Sequence, residues 1–151
     1  MIICGKQGGV AMTGEAIVVT LVSSIISGVL ATAITLYINY RNEQLKIKRK
    51  LVDDVFGYRY QLLAWYTGDK SAINNALNRI PIVFNSEKDV LKAYDEFYDV
   101  TTATLNSNEK IQKCDDKLVT LYKEMCKAAG FKVDSWNDSR IKNIFAVINT
   151  K

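Results

Sequence analysis

Hydrophobic positions are spread very unevenly along this chain. Residues 16–40, AIVVTLVSSIISGVLATAITLYINY, run without an acid, a base or a proline. At ~1.5 Å rise per residue, a helix of ~23 apolar positions reaches past the ~30 Å hydrocarbon core of a bilayer. Glu15 closes the run on one side and Arg41 on the other. Beyond it, apolar residues recur at three and four, the period of an amphipathic helix. The pattern predicts an all-α protein, with a single N-terminal transmembrane helix followed by a small cytoplasmic helical bundle. The expected organisation is a disordered, Gly-rich leader over 1–15, the membrane helix over 16–40, a basic juxtamembrane segment over 41–50 and a helical domain over 51–151.

The stripes place the helices of that domain. Leu51, Val52, Val55, Phe56, Leu62, Leu63 and Tyr66 form the first, on a helix that continues the membrane segment through residues 42–66. Thr67-Gly68-Asp69 ends it. Ser71 is placed to cap a second helix bearing Ile73, Leu77 and Ile80, which Pro81 stops, leaving 82–84 extended. Ser86 and Asp89 have capping-box-like spacing before a third helix faced by Val90, Leu91, Tyr94, Phe97 and Tyr98. Residues 102–108 read as a loop. Residues 108–129 repeat most regularly, through Ile111, Cys114, Leu118, Leu121, Met125 and Ala128, and Gly130 with Phe131 supplies a C-terminal cap. Trp136, Ile141, Ile144, Phe145 and Ile148 make a last short amphipathic piece. Four or five helices packed as a bundle result.

Residues 16–40 have two other readings. A cleaved signal peptide finds an Ala31-Thr32-Ala33 pattern, but the run is too long for a signal core and at most one lysine precedes it. A buried helix of a soluble protein is the other. The flanks orient a membrane helix. Arg41, Lys46, Lys48, Arg49 and Lys50 follow the run, whereas Lys6 alone precedes it. The N-terminus is therefore expected outside and the domain inside, with those five residues at the membrane surface and Tyr37 and Tyr40 at the interface. Thr20, Ser24, Gly28 and Thr32 recur every four residues, and small residues so spaced let two membrane helices approach closely. Self-association through them is expected beside the alternative of a monomeric anchor.

Composition removes several chemistries. The chain has no histidine, which excludes Ser-His-Asp and Cys-His catalysis and imidazole metal sites. It has no phosphate-cradling glycine motif. The net charge of +4 is modest for a nucleic-acid binder. Cys4, Cys114 and Cys126 form no CxxC pair, and the last two lie ~18 Å apart on one helix, so they read as reduced thiols. The adjacent acids Asp53-Asp54, Asp95-Glu96 and Asp115-Asp116 diverge by ~100° on a helix and make no proton-sharing dyad. No catalytic, cofactor-binding or metal residue is expected. Arg59 lies within an apolar stripe, where it snorkels, pairs with Asp95 or Glu96, or contacts an anionic ligand. Asn74, Asn75 and Asn78 sit beside the Pro81 break, and Asn78 is a candidate partner or ligand contact. Met12 is an alternative start to Met1.

Several motifs are familiar. Phe56 and Arg59 fall where an F-x-x-L-M-x-x-R motif starts, although its spacing is not kept. Ala76-Leu77-Asn78-Arg79-Ile80-Pro81-Ile82-Val83-Phe84 is close to A-L-N-x-I-x-V-x-F, offset at its end. Val90, Ala93 and Tyr94 match part of V-x-x-A-W-x-x-Y, and Leu121, Met125, Ala128, Ala129, Gly130 and Phe131 match part of a final L-L-x-x-M-A-x-x-L-G-Y. Over residues 16–131 the chain resembles an uncharacterised family of small bacterial membrane-anchored proteins. The resemblance implies a fold and a topology and no known activity. The expected function is a non-enzymatic interaction module at the bacterial inner membrane, binding a protein partner and no nucleic acid. The alternative is a membrane-perturbing effector of an anti-phage defence or toxin system, acting as an oligomer of its transmembrane helix.

Overall fold

The computed structural model describes residues 13–63, 65–104, 106–133 and 135–144. The leader through residue 12, with Cys4, and the stripe residues Phe145 and Ile148 lie outside the described residues. The described residues are mostly helical, and no strand occurs among them. Helix α1 spans Gly14–Tyr58, α2 Ser71–Val83, α3 Lys88–Thr102, α4 Ser107–Ala128 and α5 Asp138–Lys142, with a 3-10 helix over Arg59–Leu62 between α1 and α2. The chain divides into two units, Met1–Arg41 and Asn42–Lys151.

In the first unit, every residue over 17–40 is exposed. That helix is long and apolar enough to cross a membrane.

The second unit has one apolar core. Leu51, Ile73, Ile80, Phe84, Leu121 and Met125 are fully buried in it, at the stripe positions that the period of 3.6 assigns inward. Helix α3 packs along α4, the two joined by residues 103–106, and Lys117 of α4 reaches Glu96 of α3 at 2.7 Å. Helix α5 is fixed to α4 by Lys142–Asp116 at 2.6 Å and by Lys123–Asp138. Ile141 is buried beneath it. Two expected stripe positions face solvent instead, Tyr98 and Ile111.

Helix boundaries differ from the expectation in physically readable ways. The first helix ends at Tyr58, not at residue 66. Arg59 Nη1 donates to the Phe56 carbonyl at 3.0 Å, so a side chain takes an acceptor that the next helical turn needs, and the chain tightens into a 3-10 turn. Helix α2 does not stop at Pro81 but runs through it to Val83. Pro81 lies in the last turn, and Phe84 N still donates to the Ile80 carbonyl at 2.9 Å. Ile80 and Phe84 are both wholly buried, four apart, and that burial holds residues 82–84 out of the extended form. Ser71 is the first residue of α2 rather than its cap. Asp69 accepts from Ser71 N at 2.8 Å and Ser71 Oγ at 2.6 Å, which holds its carboxyl below the usual carboxylate range. The buried Gln61 accepts from Ile73 N at 3.0 Å, serving another free donor of the α2 N-terminus. Ser86 and Asp89 form no capping box, and α3 starts at Lys88 without a side-chain cap.

The C-terminus of α4 follows its sequence signal. Gly130 has φ 79°, the left-handed conformation that glycine adopts without steric cost. Phe131 N donates to Cys126 O and Gly130 N to Lys127 O, both at 2.9 Å, which completes a Schellman motif.

Candidate functional site

Four hydroxyls of the apolar helix donate to its own backbone. Ser24 Oγ donates to Thr20 O and Thr32 Oγ1 to Gly28 O, each at 2.8 Å. Ser27 and Thr35 make the same backward bond at 2.8 Å. Hydroxyls satisfied this way tolerate a hydrocarbon surrounding. A Cβ added at Gly28 meets nothing within 4 Å, so this face is open along the helix.

The basic residues have different environments. Lys48 lies well inside the domain, donating to Glu87 at 2.6 Å with its side chain 13% exposed and its ammonium 5.8 Å from the Phe84 ring centre. Arg49 Nε donates to the Ala129 carbonyl at 3.1 Å, and its guanidinium lies 5.7 Å from the Phe131 ring centre. These two close the C-terminus of α4 and the start of α3 onto α1. Lys46 pairs with Glu43 one turn away at 2.6 Å, Arg41 lies 6.0 Å from the Tyr37 ring centre, and Lys50 is exposed.

Arg59 does not pair with Asp95 or Glu96. Glu96 takes Lys117 at 2.7 Å and Lys92 at 4.0 Å, and Asp95 is exposed. Arg59 instead stacks on Phe56, 3.4 Å from the ring centre, and Nη2 donates to the Asn143 carbonyl at 3.0 Å. Its buried Nε has no partner among the described residues. Burial pulls the guanidinium pKa down, and Tyr122 opposes this. Beside it is a cavity of about 40 Å³, lined also by Leu63, Asp115, Ile141 and Lys142. This is room for about one water by liquid volume. Burial raises the Asp115 carboxyl, and Lys142 opposes the rise.

Asn78 opens onto a much larger space. A groove of about 400 Å³ runs between α2 and α3, with Asn74, Leu77 and Asn78 on one wall and Tyr94, Phe97 and Tyr98 on the other. Leu62 and Thr101 complete its lining. No charged side chain faces it. Asn74 and Asn78, one helical turn apart, make no side-chain bond to the described protein. Sequence patterning assigns Tyr94, Phe97 and Tyr98 to a core face; Phe97 is buried in the core and Tyr94 packs against it, whereas Tyr98 is exposed. A further surface depression, lined by Asp89, Lys92, Glu96, Thr120, Glu124 and Lys127, carries charges of both signs. Cys114 and Cys126 are free thiols, and among the described residues no cluster of three His, Cys, Asp or Glu is arranged to hold a metal.

An exposed apolar helix joined to a small helical domain defines the architecture. Residues 12–145 match the model of a family of unknown function, DUF6680, and the chain belongs to that family. No curated protein and no solved structure matches the chain.

Proposed function

We propose that this protein is a single-pass membrane protein that holds a non-enzymatic interaction domain on the cytoplasmic side of a bacterial inner membrane. One observation carries the reading: residues 17–40 form an uncharged helical surface with no buried position. Apolar surface of that extent is costly in water, and a bilayer removes it from water. The inward-bonded hydroxyls of Ser24 and Thr32 support it. The basic residues that follow the helix set the orientation, and Arg41, Lys46 and Lys50 are the ones placed to meet anionic headgroups. The helix takes a second copy of itself as partner, along Thr20, Ser24, Gly28 and Thr32. In this reading the domain acts by binding rather than by chemistry.

The orientation is tested by fusing a reporter that fluoresces only in the cytoplasm to the C-terminus. Bright cells with membrane-localised signal are expected. A fusion that is expressed but dark places the domain on the other side and overturns the proposal.

A further inference from the structure

Three helix ends meet where the chain enters the helical domain. Lys48 of α1 holds Glu87, in the turn between α2 and α3, at 2.6 Å, and its ammonium lies 5.8 Å from the ring centre of Phe84, where α2 ends. Arg49 holds the Ala129 carbonyl, where α4 ends, at 3.1 Å. The C-terminus of α2, the N-terminus of α3 and the C-terminus of α4 therefore lie at the level of Lys48 and Arg49. Those two residues follow Tyr40, the last of the apolar run, by eight and nine positions. A link of that length spans at most ~32 Å fully extended and ~12–14 Å as a helix. Where the apolar run spans a bilayer, its link holds this end of the domain within that reach of the headgroups.

The side chains at this end suit an anionic surface. Lys50, Lys88 and Lys132 are exposed, and none of them makes an ion pair among the described residues. Two nearby acids are already spent, Glu43 on Lys46 and Glu87 on Lys48, both at 2.6 Å. Asp89, exposed in the first turn of α3, opposes the three lysines. At the far end, where Gln61 meets the start of α2 and α3 turns into α4, Asp69 and Asp99 stand against Lys70 and Lys110, so the positive excess lies at the entry end. Apolar side chains are exposed there too. Ile82, in the last turn of α2, is 76% exposed, and Phe131, just past α4, is 37% exposed. Lysines around exposed apolar groups make an interfacial membrane contact, ammonium on phosphate and apolar group in the acyl boundary. Each lysine close to an anionic leaflet favours the attached state by about fivefold. Tethering makes such a contact effective even when it is weak, because attachment becomes intramolecular.

We infer that this end of the helical domain rests on the anionic lipid of the leaflet that anchors it, with Lys50, Lys88 and Lys132 against headgroup phosphates and Ile82 and Phe131 at the edge of the acyl layer. The inference rests on the proposed membrane span and goes beyond it, because a span alone requires no contact between the domain and lipid.

The test places the full-length protein in nanodiscs whose lipids carry a spin label on the headgroup, made of phosphatidylcholine alone or mixed with phosphatidylglycerol. A fluorophore is attached at Asn85→Cys, an exposed turn position at the entry end, with Cys4→Ser and Cys114→Ser; Cys126 is buried and escapes labelling. The same fluorophore at Thr101→Cys, exposed at the far end, is the control. Quenching is expected at the entry end and not at the far end, and more in the anionic nanodiscs than in the neutral ones. The Lys88→Glu/Lys132→Glu double variant is expected to lose most of it, as the ratio of attached to free domain falls by about 25-fold or more. Both positions are exposed, and an unchanged thermal midpoint checks that the variant folds. Ile82→Ser supplies a second variant that leaves the charge alone and is expected to weaken the quenching. Quenching no greater at the entry end than at the far end, equal in the two lipids, or unchanged by both variants overturns the inference and leaves the span standing. A chain that does not enter nanodiscs overturns the span and this inference together.

Discussion

Tyr122 links the parts of the helical domain. Its ring stacks on Phe56 with centres 4.7 Å apart and lies 6.2 Å from Trp136, while the Arg59 guanidinium lies 3.4 Å from the Phe56 ring centre. Burial pushes the Tyr122 phenol well above its ordinary value, and neighbouring Cys126 adds to the shift. Burial likewise raises the Cys126 thiol from 9.0 to about 11. Both groups hold their protons more tightly when folded than when unfolded. The Cys126 contribution to stability is therefore fully present below pH 9.0, the unfolded thiol value, and is lost as pH rises through about 11, while that of Tyr122, whose ordinary value is 10.0, is lost at higher pH still. The denaturation midpoint of the solubilised protein is expected to hold up to about pH 9 and to fall beyond it. Tyr122→Phe keeps the ring and removes one of the two titrations, so it should lose less of its own neutral-pH stability at high pH. An equal loss in both proteins would contradict this account.

The helices show what was legible in the sequence. Two local signals were strong: the uncharged run that lies in α1, and the Leu121, Met125, Gly130, Phe131 pattern that ends α4. Each is written within a few consecutive residues, so one sequence suffices. Caps were harder, because several side chains compete for each start. Asn106 caps α4, accepting from Glu109 N at 2.8 Å and donating back to Glu109 at 3.1 Å, inside a stretch read as loop. Contacts distant in sequence were not legible at all. Lys48 meets Glu87 across 39 positions and Arg49 meets Ala129 across 80, whereas the sequence pattern groups both with the membrane-surface lysines and arginines. The groove at Asn78 was half visible, since the amides show in the sequence but their opposing rings need α3 in place. Pro81 was read as a stop because the proline effect is real, and burial of Ile80 and Phe84 outweighs it. Pro81→Ala should therefore restore a donor to the last turn of α2 and stabilise the domain by about 1–3 kcal/mol. A thermal midpoint raised by several degrees checks this. A lowered midpoint would mean that the proline ring, partly buried, packs better than the helix bond it displaces.

For the whole molecule, the decisive contrast is between the two units. Residues 42–144 bury a contiguous apolar core, whereas residues 17–40 bury nothing. A chain with that division carries an exposed apolar helix long enough to cross a membrane. Membership in DUF6680, whose model spans both units from residue 12 to 145, makes the apolar helix part of the family pattern rather than an appendage to it. The proposed orientation and the proposed lipid contacts of Arg41, Lys46 and Lys50 depend on that helix. Alkaline carbonate extraction of membranes from cells expressing the full chain tests it most directly. The protein should stay in the membrane pellet after extraction, as an integral span does. Release of the full-length chain into the supernatant would contradict the span.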